Sequence, residues 1–369
     1  MKIVVFAGGV GTRLWPLSRK HTPKQFEKII GDKSTLQQTI DRLLPQFKPH
    51  DICIATGIRY KKIVLEQLPE IPSENFIFEP EMRDVGPAIG MAAMILEKRF
   101  ENEPMAILWC DHLVKNISAF RDSLSLAENK IKNNEANFVF IAQKPRFANQ
   151  NIGWIELGDQ ESISESGNIN NSEEDVKIYH FKKLRYRPKL SDAQSFFENK
   201  NFVWNLGYFV TKPKFLTALF KTFVPDMYEK LLLIKNSWGT ADFEKKLAEV
   251  FPTLEKISFD DAILEKLRGD GIYVISADLG WSDVGAWEAL KEALSNTEND
   301  NVTKGNVMLE ECADGLFFNY SNQLLVGIDL EKMLVINTND VLLICPKTSV
   351  PKIKKLVENL AGTPNEHLT

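Results

Sequence analysis

The sequence is poor in the features that mark several large classes of protein. Its 369 residues include four cysteines and no CxxC pair, which suits a reducing cytosol better than a disulfide framework or a zinc site. No apolar run approaches the ~20 residues of a membrane span, and the opening run IVVFA is too short for a signal peptide. The formal net charge of −5 gives no general attraction to nucleic acid or anionic membranes. We therefore expect a soluble, cytoplasmic protein without nucleic-acid or membrane partners, in which any anion site is local.

What the sequence does contain is an alternation of strand-like and helix-like segments. Short runs rich in β-branched and aromatic residues predict strands at KIVVFA, DICIAT, NFIFEP, MAILWC and NFVFIAQ. The segments PAIGMAAMILEKRF and SLSLAENKIKNN have helical spacing. This alternation predicts an α/β fold with a mixed, mostly parallel sheet covered by helices. Ligands of such sheets bind at the carboxyl ends of the strands.

The pattern changes towards the end of the chain, and this predicts the domain organisation. Residues 1–294 are predicted as one large domain and residues 295–305, SNTENDNVTKG, as a linker. Residues 306–369 are predicted as a small all-β domain with a terminal helix, because NVMLEE, GLFFNY, LLVGIDL, MLVINT and VLLICP lack long helices between them. The polar, acidic stretch 158–175 is predicted to be a solvated loop or hairpin.

Three glycines and two cations follow the first strand-like run: Gly8, Gly9, Gly11, Arg13 and Lys24. Their spacing lacks the GxxxxGK(S/T) of a Walker A loop and the third glycine of the dinucleotide fingerprint GxGxxG. A glycine turn without a ligand would explain the glycines but not the cations. Glycines let backbone N–H groups approach a phosphate, while arginine and lysine add positive charge to the same anion. The segment therefore predicts a polyphosphate cradle.

The whole opening, AGGVGTRLWPLSRKHTPKQF, resembles GGxGTRLxPxxxxxPK, the signature of the sugar-nucleotide pyrophosphorylases. Its LWPLSR and PKQF are similar to one branch, the mannose-1-phosphate guanylyltransferases. The resemblance implies a Rossmann-like, GT-A-like nucleotidyltransferase domain followed by a small left-handed β-helix-like unit. It also implies a homodimer and a short form without the isomerase domain that longer members append. The implied reaction transfers GMP from GTP to mannose 1-phosphate with Mg²⁺, giving GDP-mannose and pyrophosphate.

The resemblance also assigns residues to the nucleotide. Arg13 and Lys24 match the family's catalytic arginine and lysine. The implied nucleotide-binding residues are Gly8, Gly9, Gly11, Thr12, Glu79, Pro87 and Ala88. Glu79 begins EPEMRDVGPA, which resembles the base-reading EPxxxNTAPA of the family with Asp-Val-Gly in place of Asn-Thr-Ala. A carboxylate suits guanine, because guanine presents adjacent donors at N1 and N2; a buried cap or structural acceptor is the alternative interpretation of Glu79.

Two aspartates are implied as ligands of Mg²⁺. Asp111 in AILWCDHLV matches the family's PADH, and Asp283 in LGWSDVGAWEAL matches its WSDVGSW. A lone aspartate at a strand end is more often a turn or cap residue, so their pairing rests on the resemblance. The chemistry is consistent with it, since Mg²⁺ takes a few carboxylates and completes its octahedron with phosphate oxygens and water.

The resemblance is weaker in the segments that would bind the sugar phosphate. The implied residues are Gly153 in NIGWI, Arg187 in YRP, Asn205 in FVWNLGYFV and Asp260 in ISFDDAILEK. The family has TGYGYI and EKP at the first two places, so a glutamate is lost and arginine replaces lysine. Two alternatives therefore stay open: a pyrophosphorylase for another sugar 1-phosphate or nucleotide, and a non-catalytic homologue that binds nucleotide sugars.

Overall fold

The structure is a computed structural model and describes residues 1–9, 11–161 and 176–369. The described strands are β1 Lys2–Phe6, β2 Ile52–Gly57, β3 Phe76–Glu79, β4 Met105–Trp109, β5 His112–Val114, β6 Phe138–Gln143, β7 Gly153–Glu161, β8 Lys177–Arg185, β9 Phe202–Thr211, β10 Ile272–Ala277, β11 Trp281–Asp283, β12 Val302–Lys304, β13 Val307–Glu310, β14 Leu316–Asn319, β15 Leu325–Ile328, β16 Met333–Asn337 and β17 Leu342–Pro346. The described α-helices are α1 Thr35–Leu43, α2 Lys61–Gln67, α3 Val85–Arg99, α4 Ile117–Lys132, α5 Leu190–Glu198, α6 Pro213–Phe223, α7 Pro225–Ser237, α8 Phe243–Val250, α9 Phe259–Ala262, α10 Trp287–Leu294 and α11 Ile353–Glu358. In this part of the chain, no helix combines the length and the apolar character needed to cross a bilayer.

The first of two compact units consists of Met1–Ala7, Asp41–Trp109 and Lys115–Leu279. Its described strands form one nine-stranded sheet in the order β3-β2-β1-β4-β9-β6-β10-β8-β7. Among these strands only β8 and β9 run against the common direction. The predicted α/β fold with a mixed sheet is therefore confirmed, but among the described strands the sheet is not mostly parallel, because four of its pairings are parallel and five are antiparallel.

The apolar runs form the centre of this sheet for a simple physical reason. All five residues of β1 are buried, and β1 pairs with β2 on one side and β4 on the other. A strand covered on both faces shows a continuous apolar run instead of alternation. Helix α3 is likewise buried from Gly86 to Leu96. At Gly90 a Cβ would overlap Leu231 and Phe220, so glycine permits close packing of α3 against α6 and α7.

The predicted solvated excursion at 158–175 begins in an antiparallel pair of strands. Strands β7 and β8 pair with each other, and residues 158–161 belong to β7. Residues 162–175 lie outside the described residues. The flanking strands thus agree with the hairpin interpretation.

The second compact unit consists of Gly8–Ile40, Cys110–Val114 and Gly280–Thr369. Its later strands stack in parallel, with β12 on β14 on β16 and β13 on β15, so that each pairs with the strand two further along the chain. Strand β17 closes one stack in the antiparallel sense. The core of this unit joins side chains from the opening segment to the stacked strands: Leu14, Trp15, Ile29, Trp287, Leu316, Phe318, Leu334 and Ile336 are all buried in it.

Six of the described strands, β12 to β17, lie in the late part of the chain, where short strand-like runs are predicted. Strand β12 lies inside 295–305, the predicted linker, and Val302 packs against the core of the second unit. Gly8–Ile40 also groups with the late strands. The domains 1–294 and 306–369, as separate bodies, stay a prediction. The predicted closing helix is α11, which is only six residues long.

Candidate active site

The glycine turn follows β1 and is open. A Cβ at Gly8 or Gly9 would meet no atom within 4 Å, and both glycines are exposed. Gly9 has φ +91° and Gly11 has φ +64°, a conformation that favours glycine. Gly11 also faces Lys24, whose Cγ would lie 2.9 Å from a Cβ at this position. Thr12 begins a short 3₁₀ turn, Thr12–Leu14, directly afterwards.

Lys24 is a buried cation of the second unit, with 7% of its surface exposed. Its backbone N–H donates to Ser18 Oγ at 2.9 Å, and its Nζ lies 2.8 Å from Asp111 Oδ2. Burial lowers the pKa of Lys24, but the carboxylates of Asp111 and Asp283 outweigh burial and hold it above the ordinary value. Lys24 is therefore positively charged at neutral pH.

The two predicted metal ligands are brought together by a small antiparallel sheet. Strand β5 pairs with β11 in a register that sets His112 opposite Asp283. Asp111 precedes β5 directly, so both carboxylates lie at the same end of the pair. The His112 ring packs edge-on against Trp281 at a centroid distance of 5.0 Å, which fixes the register further.

Opposite charges surround Asp111 and Asp283. Burial would raise the pKa of Asp111, but Lys24 and His112 outweigh it and lower the value to about 2. Arg13 Nη2 and Asp283 Oδ1 flank Gly285, where a Cβ would lie 3.0 Å and 2.8 Å from them. A glycine at 285 thus leaves room for the guanidinium and the carboxylate. The four predicted catalytic and metal residues, Arg13, Lys24, Asp111 and Asp283, all belong to the second unit.

The donor set decides which metal could be held there. Within the described ranges, no three His, Cys, Asp or Glu side chains form a group able to hold a metal by themselves. Asp111 and Asp283 supply a pair of carboxylates instead. Such a pair fits a hard cation that takes its remaining ligands from phosphate oxygens and water, as Mg²⁺ does. It does not fit a closed structural zinc site.

Glu79, the candidate guanine-binding residue, lies in the first unit. Glu79 ends β3, and burial alone raises the pKa of its carboxyl to about 7. Helix α3 begins soon after, with Asp84 at φ +69° accepting from Val85 N–H at 2.7 Å. Pro87 and Ala88 are buried in the first turn.

The departure from the family's Asn-Thr-Ala has a local explanation at one residue. Gly86 N–H donates to Ile257 O at 3.0 Å, and a Cβ at 86 would lie 2.7 Å from the same oxygen. An alanine would push this backbone contact apart, so the close approach requires glycine here.

The predicted sugar residues also meet in the first unit. Asn205 Nδ2 donates to Asp260 Oδ1 at 3.1 Å, and Gly207 N–H donates to Asn205 Oδ1 at 3.0 Å, which fixes the amide. Gly153 pairs with Asn205, and a Cβ at 153 would lie 3.2 Å from the amide nitrogen. Burial raises the pKa of Asp260 to about 7, while Arg187 and Asn205 oppose the shift.

Arg187 is held beside this group by its own backbone and by its neighbour. It has φ +45°, and its guanidinium lies 5.0 Å from the centre of the Tyr186 ring. Tyr186 N–H in turn donates to Glu265 Oε1 at 2.7 Å. The family's EKP has a glutamate where this chain has Tyr186. Here the carboxylate of Glu265, which lies elsewhere in the sequence, accepts from the backbone of Tyr186.

Sequence reasoning missed three residues that shape these groups: Ser18, Gly285 and Glu265. Gly285 stands within the quoted WSDVG motif and carried a signal that could have been used. Ser18 and Glu265 act on the backbone of other residues, and only the fold reveals such contacts.

Residues 2–300 match the nucleotidyl transferase family, and the chain belongs to that family of enzymes. Nucleotidyltransferases of this family generally use divalent metal ions. Within the family the similarity is to the mannose-1-phosphate guanylyltransferases, and the resemblance predicted from the opening motif is thereby confirmed.

Mannose-1-phosphate guanylyltransferase 2 of Escherichia coli O157:H7 is 32% identical over 97% of this chain and 73% of its own length. A mannose-1-phosphate guanylyltransferase of Escherichia coli is 33% identical over 97% of this chain and 75% of its own. Among solved structures, the mannose-1-phosphate geranyltransferase of Thermus thermophilus has a TM-score of 0.84 at 25% identity. The match covers 97% of this chain and 98% of the Thermus thermophilus chain, and it supports the nucleotidyltransferase fold.

Proposed function

We propose that this protein transfers GMP from GTP to mannose 1-phosphate and releases GDP-mannose and pyrophosphate. The observation that carries the proposal is the group formed by Arg13, Lys24, Asp111 and Asp283 in the second unit. It combines two cations for phosphates with a pair of carboxylates for a divalent metal. The relatives named mannose-1-phosphate guanylyltransferase support this choice of substrates.

The reaction needs positioning and charge more than it needs a base. An oxygen of the sugar phosphate attacks the α-phosphorus of GTP, a new P–O bond forms, and the bond to the β-phosphate oxygen breaks. The electron pair leaves with pyrophosphate, and the phosphate monoester is already an anionic nucleophile. Catalysis then consists of orientation and neutralisation of the phosphates.

Each candidate residue has one task in this scheme. The backbone N–H groups at Gly8, Gly9 and Gly11 donate to the phosphates at close range. Lys24 presents its charge to the α-phosphate, and Arg13 to the leaving pyrophosphate. Asp111 and Asp283 would hold Mg²⁺, which when bound supplies charge neutralisation to the phosphates of both substrates.

In the first unit, the roles are recognition of base and sugar. Glu79, when ionised, accepts from N1 and N2 of guanine, next to the helix turn of Pro87 and Ala88. Asn205 and Asp260 bind sugar hydroxyls beside Gly153, and Arg187 binds the sugar phosphate with a planar fork. A pocket that hydrogen-bonds hydroxyls discriminates strongly between sugars.

Three further properties belong to the same proposal. The stacked parallel strands β12, β14 and β16 support a left-handed β-helix. The exposed apolar side chains of Met308, Val326 and Ile328 on the paired strands β13 and β15 support association as a homodimer. The four free cysteines suit the cytoplasm.

The experiment is pyrophosphate release with Mg²⁺ across a panel of sugar 1-phosphates, using GTP, ATP, UTP, CTP and dTTP in turn. We expect release to be fastest with GTP and mannose 1-phosphate. Preference for another sugar 1-phosphate would replace mannose 1-phosphate and locate the change in residues 151–154 and 186–188, whereas preference for another nucleotide would replace GTP. Binding of GDP-sugar without any release would overturn the proposal in favour of a non-catalytic binder.

A further inference from the structure

The segment that carries Lys24 has little regular structure of its own. We call residues 14–27 the Lys24 loop; apart from short 3₁₀ turns it is held by individual hydrogen bonds. Ser18 N–H donates to Leu14 O at 3.1 Å, and Ser18 Oγ accepts from Lys24 N–H at 2.9 Å. Ser18 is thus the internal support of Lys24.

Arg19, the residue after Ser18, connects the loop to a residue outside it, Asp340. Its Nη1 and Nη2 donate to Asp340 Oδ2 and Oδ1 at 2.7 Å and 2.6 Å, in a two-pronged ion pair. Its Nε donates to Pro16 O at 3.0 Å, and its backbone N–H donates to Thr22 O at 3.0 Å. One guanidinium therefore joins the loop to itself and to the turn after β16.

Asp340 sits on a turn that is itself fixed. Thr338 Oγ1 donates to Asp340 Oδ1 at 3.0 Å and accepts from Val341 N–H at 3.1 Å. Thr338 N–H donates to Val341 O at 2.8 Å. Hydrogen bonding to Arg19 is the main cause that lowers the pKa of Asp340 to about 2, so the carboxylate stays charged.

Other contacts bind the same stretch to the late strands and helices. Trp287 Nε1 donates to Trp15 O at 3.0 Å, before Ser18 in the chain. Lys304 Nζ, on β12, donates to the carbonyls of Lys28, Ile29 and Gly31, just after the loop. Arg19 lies between these two anchored stretches in sequence. It holds the part of the loop that bears on Ser18 and Lys24.

We propose that Asp340 is a positioning residue for nucleotidyl transfer, which acts through Arg19 and Ser18 to fix Lys24; the inference rests on the proposed function. An exposed ion pair usually contributes little to stability. Asp340 is half exposed, so its main effect is on geometry. A small displacement of a catalytic group can cost about 10²-fold in rate, although the protein remains folded.

The test compares Asp340→Ala, Asp340→Glu and Arg19→Lys with wild type and with Glu331→Gln. The control neutralises another carboxylate in the second unit, in the exposed pair Lys332–Glu331. For each protein we would measure kcat, KM for GTP, Tm, and amide hydrogen exchange of peptides covering residues 14–27. Asp340→Glu keeps the carboxylate, and Arg19→Lys keeps the charge but loses the fork.

We expect Asp340→Ala to lower kcat about 10-fold or more with KM for GTP within about 2-fold, and to speed exchange in the Lys24 loop. Asp340→Glu should recover part of the loss, and Glu331→Gln should match wild type. Unchanged kcat and exchange in Asp340→Ala and Arg19→Lys would overturn the proposal. A fall in activity that merely follows a lower Tm would also overturn it. If wild type releases no pyrophosphate with any substrate pair, the proposed function fails, whereas the exchange data still decide whether Asp340 orders the loop.

Discussion

Three carboxyl groups of similar chemistry have different protonation because their neighbours differ. Asp111 is paired with Lys24 at 2.8 Å, and its pKa is lowered to about 2. Glu79 and Asp260 are instead dominated by their burial, which raises the pKa of each to about 7. The first group is suited to permanent negative charge beside a metal, and the other two to hydrogen bonding that changes near neutral pH.

The residue with the clearest expected effect is Lys24. Lys24→Ala removes the buried cation that we propose for the phosphates, and we expect kcat to fall about 10²-fold or more. Asp111→Asn should cause a loss of similar size, because it removes half of the carboxylate pair. Lys354→Ala, in an exposed pair with Glu358, is the matched control. Near-wild-type turnover in Lys24→Ala or Asp111→Asn, measured by pyrophosphate release, would show that the assignment is wrong.

Glu79 predicts a pH dependence of guanine recognition. Its pKa of about 7 means that the accepting carboxylate forms as pH rises through neutrality. We therefore expect KM for GTP to decrease between about pH 6 and pH 8. Glu79→Gln should raise KM and flatten the profile, because the amide does not titrate. The measurement is KM for GTP at saturating sugar phosphate; identical profiles in the two proteins would refute this role.

At the scale of elements, the important feature is the pairing of β5 with β11. It sets Asp111 and Asp283 side by side although they lie far apart in sequence. Gly285, in the turn that follows β11, leaves room for Arg13 beside Asp283. The positions of Asp111, Asp283 and Arg13, which we propose for the metal and the phosphates, therefore depend on a two-stranded sheet and one glycine.

Gly285→Ala tests this arrangement. The added Cβ would lie 2.8 Å from Asp283 Oδ1 and 3.0 Å from Arg13 Nη2, closer than van der Waals contact. We expect the side chains to move apart and kcat to fall about 10-fold or more, with little change in Tm. Gly57→Ala is the control, since its nearest contact would be an ordinary 3.7 Å. Equal kcat in the two variants would show that Gly285 is dispensable for the arrangement.

Several strands could be predicted from the sequence, but the segments with which they pair in space could not. The runs KIVVFA and MAILWC have a local signal for buried strands, and both are found, as β1 and β4. The neighbours of Asp111 depend on a pairing with residues 281–283, and no local pattern encodes that pairing. No local pattern reveals the contact of Ser18 with Lys24 either, because it depends on a turn in the loop. Strand β12 was missed because its segment is polar enough to be interpreted as a linker.

At the scale of the whole molecule, the buried carboxyls of the first unit lower the stability of the fold when they are ionised. A raised pKa means that the folded protein binds the proton more tightly than the unfolded chain does. The protonated carboxyl of Asp260 thus contributes stability below about pH 4, and this contribution is lost as the pH rises through about 7. Function and stability therefore make opposite demands on this residue.

Asp260→Asn should separate the two demands. We expect the variant to increase the free energy of unfolding at pH 8 by about 1–3 kcal/mol, because no charge is then buried. The amide oxygen can still accept from Asn205. At pH 5 the difference should shrink, which serves as an internal control, and activity should fall at both values. Thermal unfolding at the two pH values is the measurement; lower stability of the variant at pH 8 would contradict the expectation.

The composition of the second unit has a consequence for biosynthesis. The glycine turn and the Lys24 loop emerge early from a ribosome, yet their core partners lie in Gly280–Thr369. Contacts between residues so far apart in sequence form late, because a long stretch of chain must first be brought together. A nascent chain can therefore complete the central sheet of the first unit while the glycine turn and the Lys24 loop are still unsupported. Ability to bind GTP should be the last property acquired during synthesis, although the residues that provide it are among the first to be translated.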